Sequence, residues 1–241
     1  MTRDDLARVH SKNRKKVKQA ITQVNRSLNE AIKTNNAMLE YVNTRVLLLL
    51  YVCYLETTMD YLIEAYPAQV SQEIRNRVAS QRSEIDRWLC LVDSMFIHRY
   101  LAGRKTSLTM LNVGHTAYTR YVYVRGLTDT QVRACIEMRN KLSHGQWAVA
   151  LNNDGSSKNQ DITSKVWTLT KKDLMLMKGV VNRYMAIMEN LIASKNAFEK
   201  YFDTNVEAIE RCKQEYNRKY DWFINLFKQK AKTSKAMKGH V

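Results

Sequence analysis

The sequence predicts an all-α fold, and three observations carry that prediction. Proline occurs once, at Pro67, and glycine seven times in 241 residues, so few positions interrupt a helix. Leu, Ala, Lys, Arg, Glu, Met and Gln, which lose least on entering a helix, are plentiful. Apolar residues recur at steps of three and four over most of the chain. With 45 % hydrophobic residues the chain can bury a core, and its length suits a single domain with extensions.

Residues 3–42 read as a first helix, because Leu6, Val9, Val17, Ile21, Val24, Leu28, Ile32 and Leu39 follow the helical step. Lys12, Arg14, Lys15, Lys16 and Lys18 cluster on its early turns. Asn43 or Thr44 is placed to cap a second helix, from Val46 to about Ala65. That helix is apolar nearly all round, which puts it in the middle of a bundle, and Pro67 marks its end. A further helix is expected from Ser71 to Leu101, with Ile74, Val78, Ile85, Trp88, Leu89, Val92, Phe96 and Ile97 as its apolar set.

Residues 102–127 are punctuated by Gly103, Gly114 and Gly126. Tyr118, Tyr121 and Tyr123 alternate with Val122 and Val124, which fits a short strand-like segment or a loop carrying aromatics. Thr128 or Asp129 is placed to cap the next helix, which runs to His144 and stops at Gly145. Two apolar runs flanking Asp154-Gly155 suggest a small β-hairpin or loop insertion over residues 147–170. Thr170 with Asp173 forms a capping-box pattern ahead of a long helix bearing Leu174, Val181, Tyr184, Met188 and Leu191. That helix either continues or breaks near Asp203, with helical pattern to about Phe227. The Lys-rich tail, about 228–241, reads as flexible.

Lys and Arg number 39 against 23 Asp and Glu, a net charge of +16 that attracts polyanions. RNA or DNA is the leading class of partner; an acidic protein or membrane surface is the other. Cys53, Cys90, Cys135 and Cys212 lack any metal-binding spacing and read as reduced thiols. The longest apolar run, Val46 to Leu55, is too short to span a bilayer, and residues 2–18 are polar and basic. The expectation is a cytoplasmic protein without a membrane partner. No GxGxxG, P-loop, GxSxG or HExxH motif occurs, which disfavours a dinucleotide enzyme, an ATPase, a serine hydrolase and a zinc hydrolase.

The most informative stretch is Arg139-Asn140-Lys141-Leu142-Ser143-His144. Arginine offers a fixed cationic fork to phosphate oxygens, and histidine exchanges protons near neutral pH. On a helix, Arg139 falls within the apolar face formed by Val132, Cys135, Ile136, Met138 and Leu142. A guanidinium there needs an acidic partner, an interface or a bound anion. Glu56, with Asp60 one turn further on, is the expected partner, since a carboxylate in so apolar a helix also calls for one. His144 lies five residues on, about 140° around a regular helix from Arg139. A single helix therefore does not aim both groups at one phosphate, unless its end distorts or two copies meet.

Arg139-Asn140-X3-His144, at the end of a helix in a basic all-α chain, resembles the Arg-X4-6-His signature of the HEPN superfamily. The resemblance covers the motif and the helical layout, and implies a HEPN-like helical bundle. It further implies a metal-independent endoribonuclease in which two motif helices meet across a homodimer to build one composite site. There the RNA 2′-OH attacks the adjacent phosphate, leaving a 2′,3′-cyclic phosphate and a 5′-OH. His144 is general base or acid, Arg139 stabilises phosphoryl charge, Asn140 binds phosphate or positions His144, and Ser143 is a minor polar contact. No cofactor or metal is called for. Lys12, Arg14, Lys15 and Lys16 are candidate phosphate contacts, and Arg120, Tyr121 and Arg125 candidate base-stacking groups. The family likeness suggests a toxin or abortive-infection role, restrained by an antitoxin protein or a regulatory RNA. The alternatives are a non-catalytic RNA-binding protein or partner subunit with the same fold, and a scaffold for acidic protein.

Overall fold

The computed structural model describes residues 1–104 and 106–216, together with Trp222, Ile224, Asn225 and Gln229. Among these residues the architecture is an all-α bundle. Its helices are α1 (Arg3–Lys33), α2 (Ala37–Ala65), α3 (Gln72–Ala79), α4 (Glu84–Leu101), α5 (Met110–Val113), α6 (His115–Leu127), α7 (Arg133–Ser143), α8 (Gln160–Trp167), α9 (Lys171–Ala193) and α10 (Lys195–Tyr216). The flexible tail expected at about 228–241, and the end of the helical pattern near Phe227, lie outside the described residues apart from Gln229.

The central helix is α2, which packs on α1, α7 and α9. Leu47, Leu48, Leu55, Met59 and Leu62 on it are buried completely or nearly so. α2 is long and apolar enough to cross a membrane, and just over half of that apolar stretch is buried inside the bundle. A second layer joins α4 to α9: the Trp88 and Tyr184 rings meet edge-on with centroids 5.2 Å apart. Phe96 meets Phe198 of α10 at 5.3 Å. Each such side chain contributes about 1.5–3 kcal/mol on burial.

Several boundaries differ from the sequence expectation, each for a local reason. The first helix stops at Lys33, because Asn35 adopts a left-handed φ of 53°. Asn36 then caps α2 by accepting from Leu39 N at 3.0 Å. Asn43 and Thr44 therefore lie inside α2, where Asn43 donates to Ser27 of α1 at 3.0 Å and Thr44 bonds back to Glu40 O. The helix expected over 71–101 is two helices, since Ser83 accepts from Asp86 N at 3.2 Å and starts α4 afresh. The tyrosine-rich segment is helix α6, neither strand nor loop.

Thr128 and Asp129 are not caps: α6 runs into α7 through a π-helical turn at Thr128–Val132. Thr128, fully buried, hydrogen-bonds with Val124 O at 2.8 Å and the Tyr184 hydroxyl at 2.9 Å. The hairpin expected over 147–170 reduces to one antiparallel bridge, Leu151 with Lys158, around the turn holding Gly155 at φ 71°. Its second arm is helical, because Asn159 caps α8 by accepting from Ile162 N at 3.0 Å and Ile162 and Val166 then share a buried face. Finally, α9 ends at extended Ser194, not near Asp203, and Ser194 Oγ accepts from Ala197 N at 3.0 Å to open α10.

Part of the basic excess is spent inside the fold. Arg45, 2 % exposed, caps α8 through Val166, Trp167 and Leu169 carbonyls while its guanidinium lies 3.7 Å over the Tyr41 ring. Arg3 binds the Ile63 carbonyl in the last turn of α2 and the Val70 carbonyl in the loop beyond it, and Arg99 binds those of Leu191 and Ile192 at the end of α9. Cations satisfy the orphan carbonyls and the negative dipole of each helix end.

Candidate active site

The motif helix α7 is anchored by Cys135, Ile136, Met138 and Leu142, all buried against the bundle. Its end is tightly wound. Amide nitrogens of His144, Gly145 and Gln146 donate to Asn140, Leu142 and Lys141 carbonyls at 3.1, 3.1 and 2.9 Å. Gly145 supplies the left-handed residue this ending needs, with φ 74°. The Trp147 indole N–H then donates to Leu142 O at 2.9 Å and fixes the departing chain.

Arg139 sits on the α2 side of this helix, its guanidinium in direct contact with the Glu56 carboxylate. The two side chains are only 21 % and 22 % exposed. Burial lowers the Arg139 pKa from its ordinary value, against a smaller opposing effect of Cys53. His144 is exposed at the C-cap and is one turn on from Asn140. Arg139 and His144 thus leave one helix in different directions. The Ser143 hydroxyl donates to Asn140 O at 2.9 Å, closing the helix end.

Asn140 turns away from Arg139 and lines a hollow of about 540 Å³ between the start of α4, α7 and the 152–159 loop. Glu84, Glu137 and Lys141 line the same hollow. Glu84 was not singled out in the sequence. Its spacing of three from Arg87 is the signal that would have found it, since Arg87 Nη1 binds Glu84 Oε2 at 2.8 Å.

Asp60 does not join Glu56 at Arg139. It pairs with Arg87 Nη2 at 2.8 Å and ties α2 to α4 instead, because one helical turn along α2 carries it past α7. The candidate RNA contacts divide. Lys12, Lys15 and Lys16 are exposed on α1. Arg14 turns inward, 4.4 Å over the Tyr61 ring and 3.4 Å from the Tyr54 hydroxyl. Arg120 pairs with Asp203 at 3.0 Å and lies 5.0 Å over Phe202. Tyr121 and Arg125 both bind Asp93, at 2.9 and 2.6 Å. Burial and Asp93 push the Tyr121 phenol up to about 12. These three therefore knit α4, α6 and α10, rather than forming an open stacking surface.

Among the described residues no group of three or more His, Cys, Asp or Glu is placed to hold a metal ion. No protein-family model, curated protein or solved structure matches the chain. The chemistry of α7 and its neighbours is thus what speaks for function.

Proposed function

We propose that the protein is a metal-independent endoribonuclease whose site pairs Arg139 of one protomer with His144 of another. The observation that carries this reading is the arrangement at α7: a four-fifths-buried guanidinium held by Glu56, and an exposed imidazole at the helix end. Arg3, Arg45 and Arg99 bind main-chain carbonyls, and Arg75 and Arg87 pair with buried or half-buried carboxylates of a neighbouring helix. Arg139 is held in the same way, but lies five residues before an exposed histidine at the end of its own helix. A copy of α7 facing its twin across a two-fold axis would bring each Arg139 toward the other's His144, which one helix alone does not do.

At such a site the RNA 2′-OH loses its proton to His144 as it attacks the neighbouring phosphorus. The guanidinium stabilises charge growing on the phosphoryl oxygens. The P–O5′ bond breaks, leaving a 2′,3′-cyclic phosphate and a 5′-OH that takes up a proton. DNA lacks the nucleophile and resists. The HEPN resemblance extends this to a toxin or abortive-infection nuclease, held in check by an antitoxin protein or regulatory RNA, and Lys12, Lys15 and Lys16 suit the phosphates of a long substrate.

A second reading, an RNA-binding partner subunit without cleavage, is favoured by one observation: Glu56 neutralises Arg139 within the single chain. Incubating the protein and its His144→Ala variant with total RNA in EDTA separates the two. Cleavage that vanishes in the variant supports the nuclease. Salt-sensitive binding with intact RNA supports the binder.

A further inference from the structure

The hollow beside Asn140 has the size of a small-molecule site, with a mostly polar lining. Its apolar floor is made by Ile85, Ile136 and Ile162, each less than 8 % exposed, which suits the faces of a flat ring. Around that floor stand groups whose hydrogen-bonding capacity is unspent. Lys141 is only 9 % exposed, yet among the described residues its ammonium has one partner, the Asn153 amide oxygen at 3.3 Å. A buried cation facing a neutral amide calls for further acceptors. The Glu137 carboxylate and the Asn140 amide make no side-chain hydrogen bond or ion pair among the described residues. Glu84 adds a second carboxylate, with one oxygen on Arg87 and Oε1 buried without a partner.

Cation and carboxylate alternate along the α7 wall as Arg133, Glu137 and Lys141, with Glu84 on the α4 wall, above an apolar floor. Arg133 is already held by Asp129, which leaves the Lys141 ammonium as the donor. Guanine is the base that complements this arrangement. Its O6 and N7 accept from an ammonium, and its N1–H and N2 amino group donate in parallel to a carboxylate. Adenine and cytosine would turn a ring-nitrogen acceptor toward the carboxylate, and uracil a single N–H between two carbonyls. Position matters too. Glu137, Asn140 and His144 follow one another along one face of α7, at steps of three and four. A base in the hollow would lie beside Asn140, one helical turn before His144.

We propose that this hollow seats the guanine whose own 2′-OH attacks, so that the protein reads guanosine on the 5′ side of the bond it cuts. The inference rests on the nuclease reading for its ribose, but the hollow can be tested without cleavage. Short single-stranded RNAs with 2′-fluoro sugars lack the nucleophile, and their binding can be followed by fluorescence anisotropy on the full chain. A strand with one guanine should bind about ten-fold tighter than its adenine or uracil counterpart. Glu137→Ala, at an exposed position, should erase that gap by weakening the guanine strand and relieving the adenine strand of the carboxylate its ring nitrogen faces. Unmodified RNA should yield fragments ending in guanosine 2′,3′-cyclic phosphate.

Equal binding of all strands, with cleavage intact, overturns the guanine site and spares the nuclease. Guanine preference without any cleavage of unmodified RNA sustains the site and overturns the nuclease. Binding of free 5′-GMP more tightly than of the guanine strand overturns the assignment to RNA, because the ligand is then a free nucleotide.

Discussion

Replacing Glu56 by Gln tests the contact on which Arg139 depends. The substitution keeps shape and removes charge, so the guanidinium stays in its pocket without a carboxylate. Breaking a fully buried pair by removing one partner costs about 3–5 kcal/mol, whereas an exposed pair is worth about 0–1 kcal/mol. With both side chains close to four-fifths buried, a loss of about 2–3 kcal/mol follows. For a chain of this size each kcal/mol lowers the melting midpoint by about 2–4 °C. Urea unfolding at pH 7 reads the loss directly. Adding Arg139→Met should restore most of it, because the uncompensated charge is gone and an apolar side chain of similar length fills its place. If the Glu56→Gln chain unfolds at the parent's urea concentration, or the double variant is no more stable than Glu56→Gln alone, the pair does not hold Arg139 as argued.

Other expectations are equally direct. His144→Ala should reduce RNA cleavage by about 10²–10⁴-fold in a gel assay, with an unchanged urea midpoint because the ring is exposed. Arg45→Met should cost about 3 kcal/mol or more, since the carbonyls ending α8 lose their donor inside the fold, and amide exchange should quicken first over residues 160–170. Lys171 contacts Asn29, and burial depresses its pKa to about 8. The unfolded chain holds that proton up to about pH 10.4, so stability from this group rises with pH between those values. Parent stability relative to Lys171→Met should therefore grow from pH 8 to 10 in equilibrium unfolding; a flat or falling difference refutes the assignment.

What the sequence made legible was the information carried by periodicity. The apolar face of α2, the capping box at Thr170 and the glycine stop at Gly145 needed only local pattern. The need of Arg139 for a carboxylate was also visible, because its helical angle placed it among apolar residues. Features decided by competing local chemistry were not. Residues 162–169 have strand-like composition, and a single cap from Asn159 turned them into helix. Tyr121 and Arg125 looked like an open aromatic-basic pair until Asp93, some 30 residues earlier, claimed both. Asp60 sits one turn from Glu56, yet faces another helix, a distinction that depends on which neighbours pack where. The same holds for Glu84 and the hollow it lines, which three separated segments create only on folding.

The wide turn at Thr128–Val132 sets the phase of everything after it. A π turn absorbs one residue more than an α turn, so α7 is rotated about its axis relative to a rod continuing α6 without interruption. Were those five residues to close up as regular α-helix with none removed, each later side chain would swing by about 100°. Arg139 would leave α2, and the buried seam of α7 would turn toward water. The register of Arg139 against Glu56 hangs on a single surplus peptide unit, about two helical turns away.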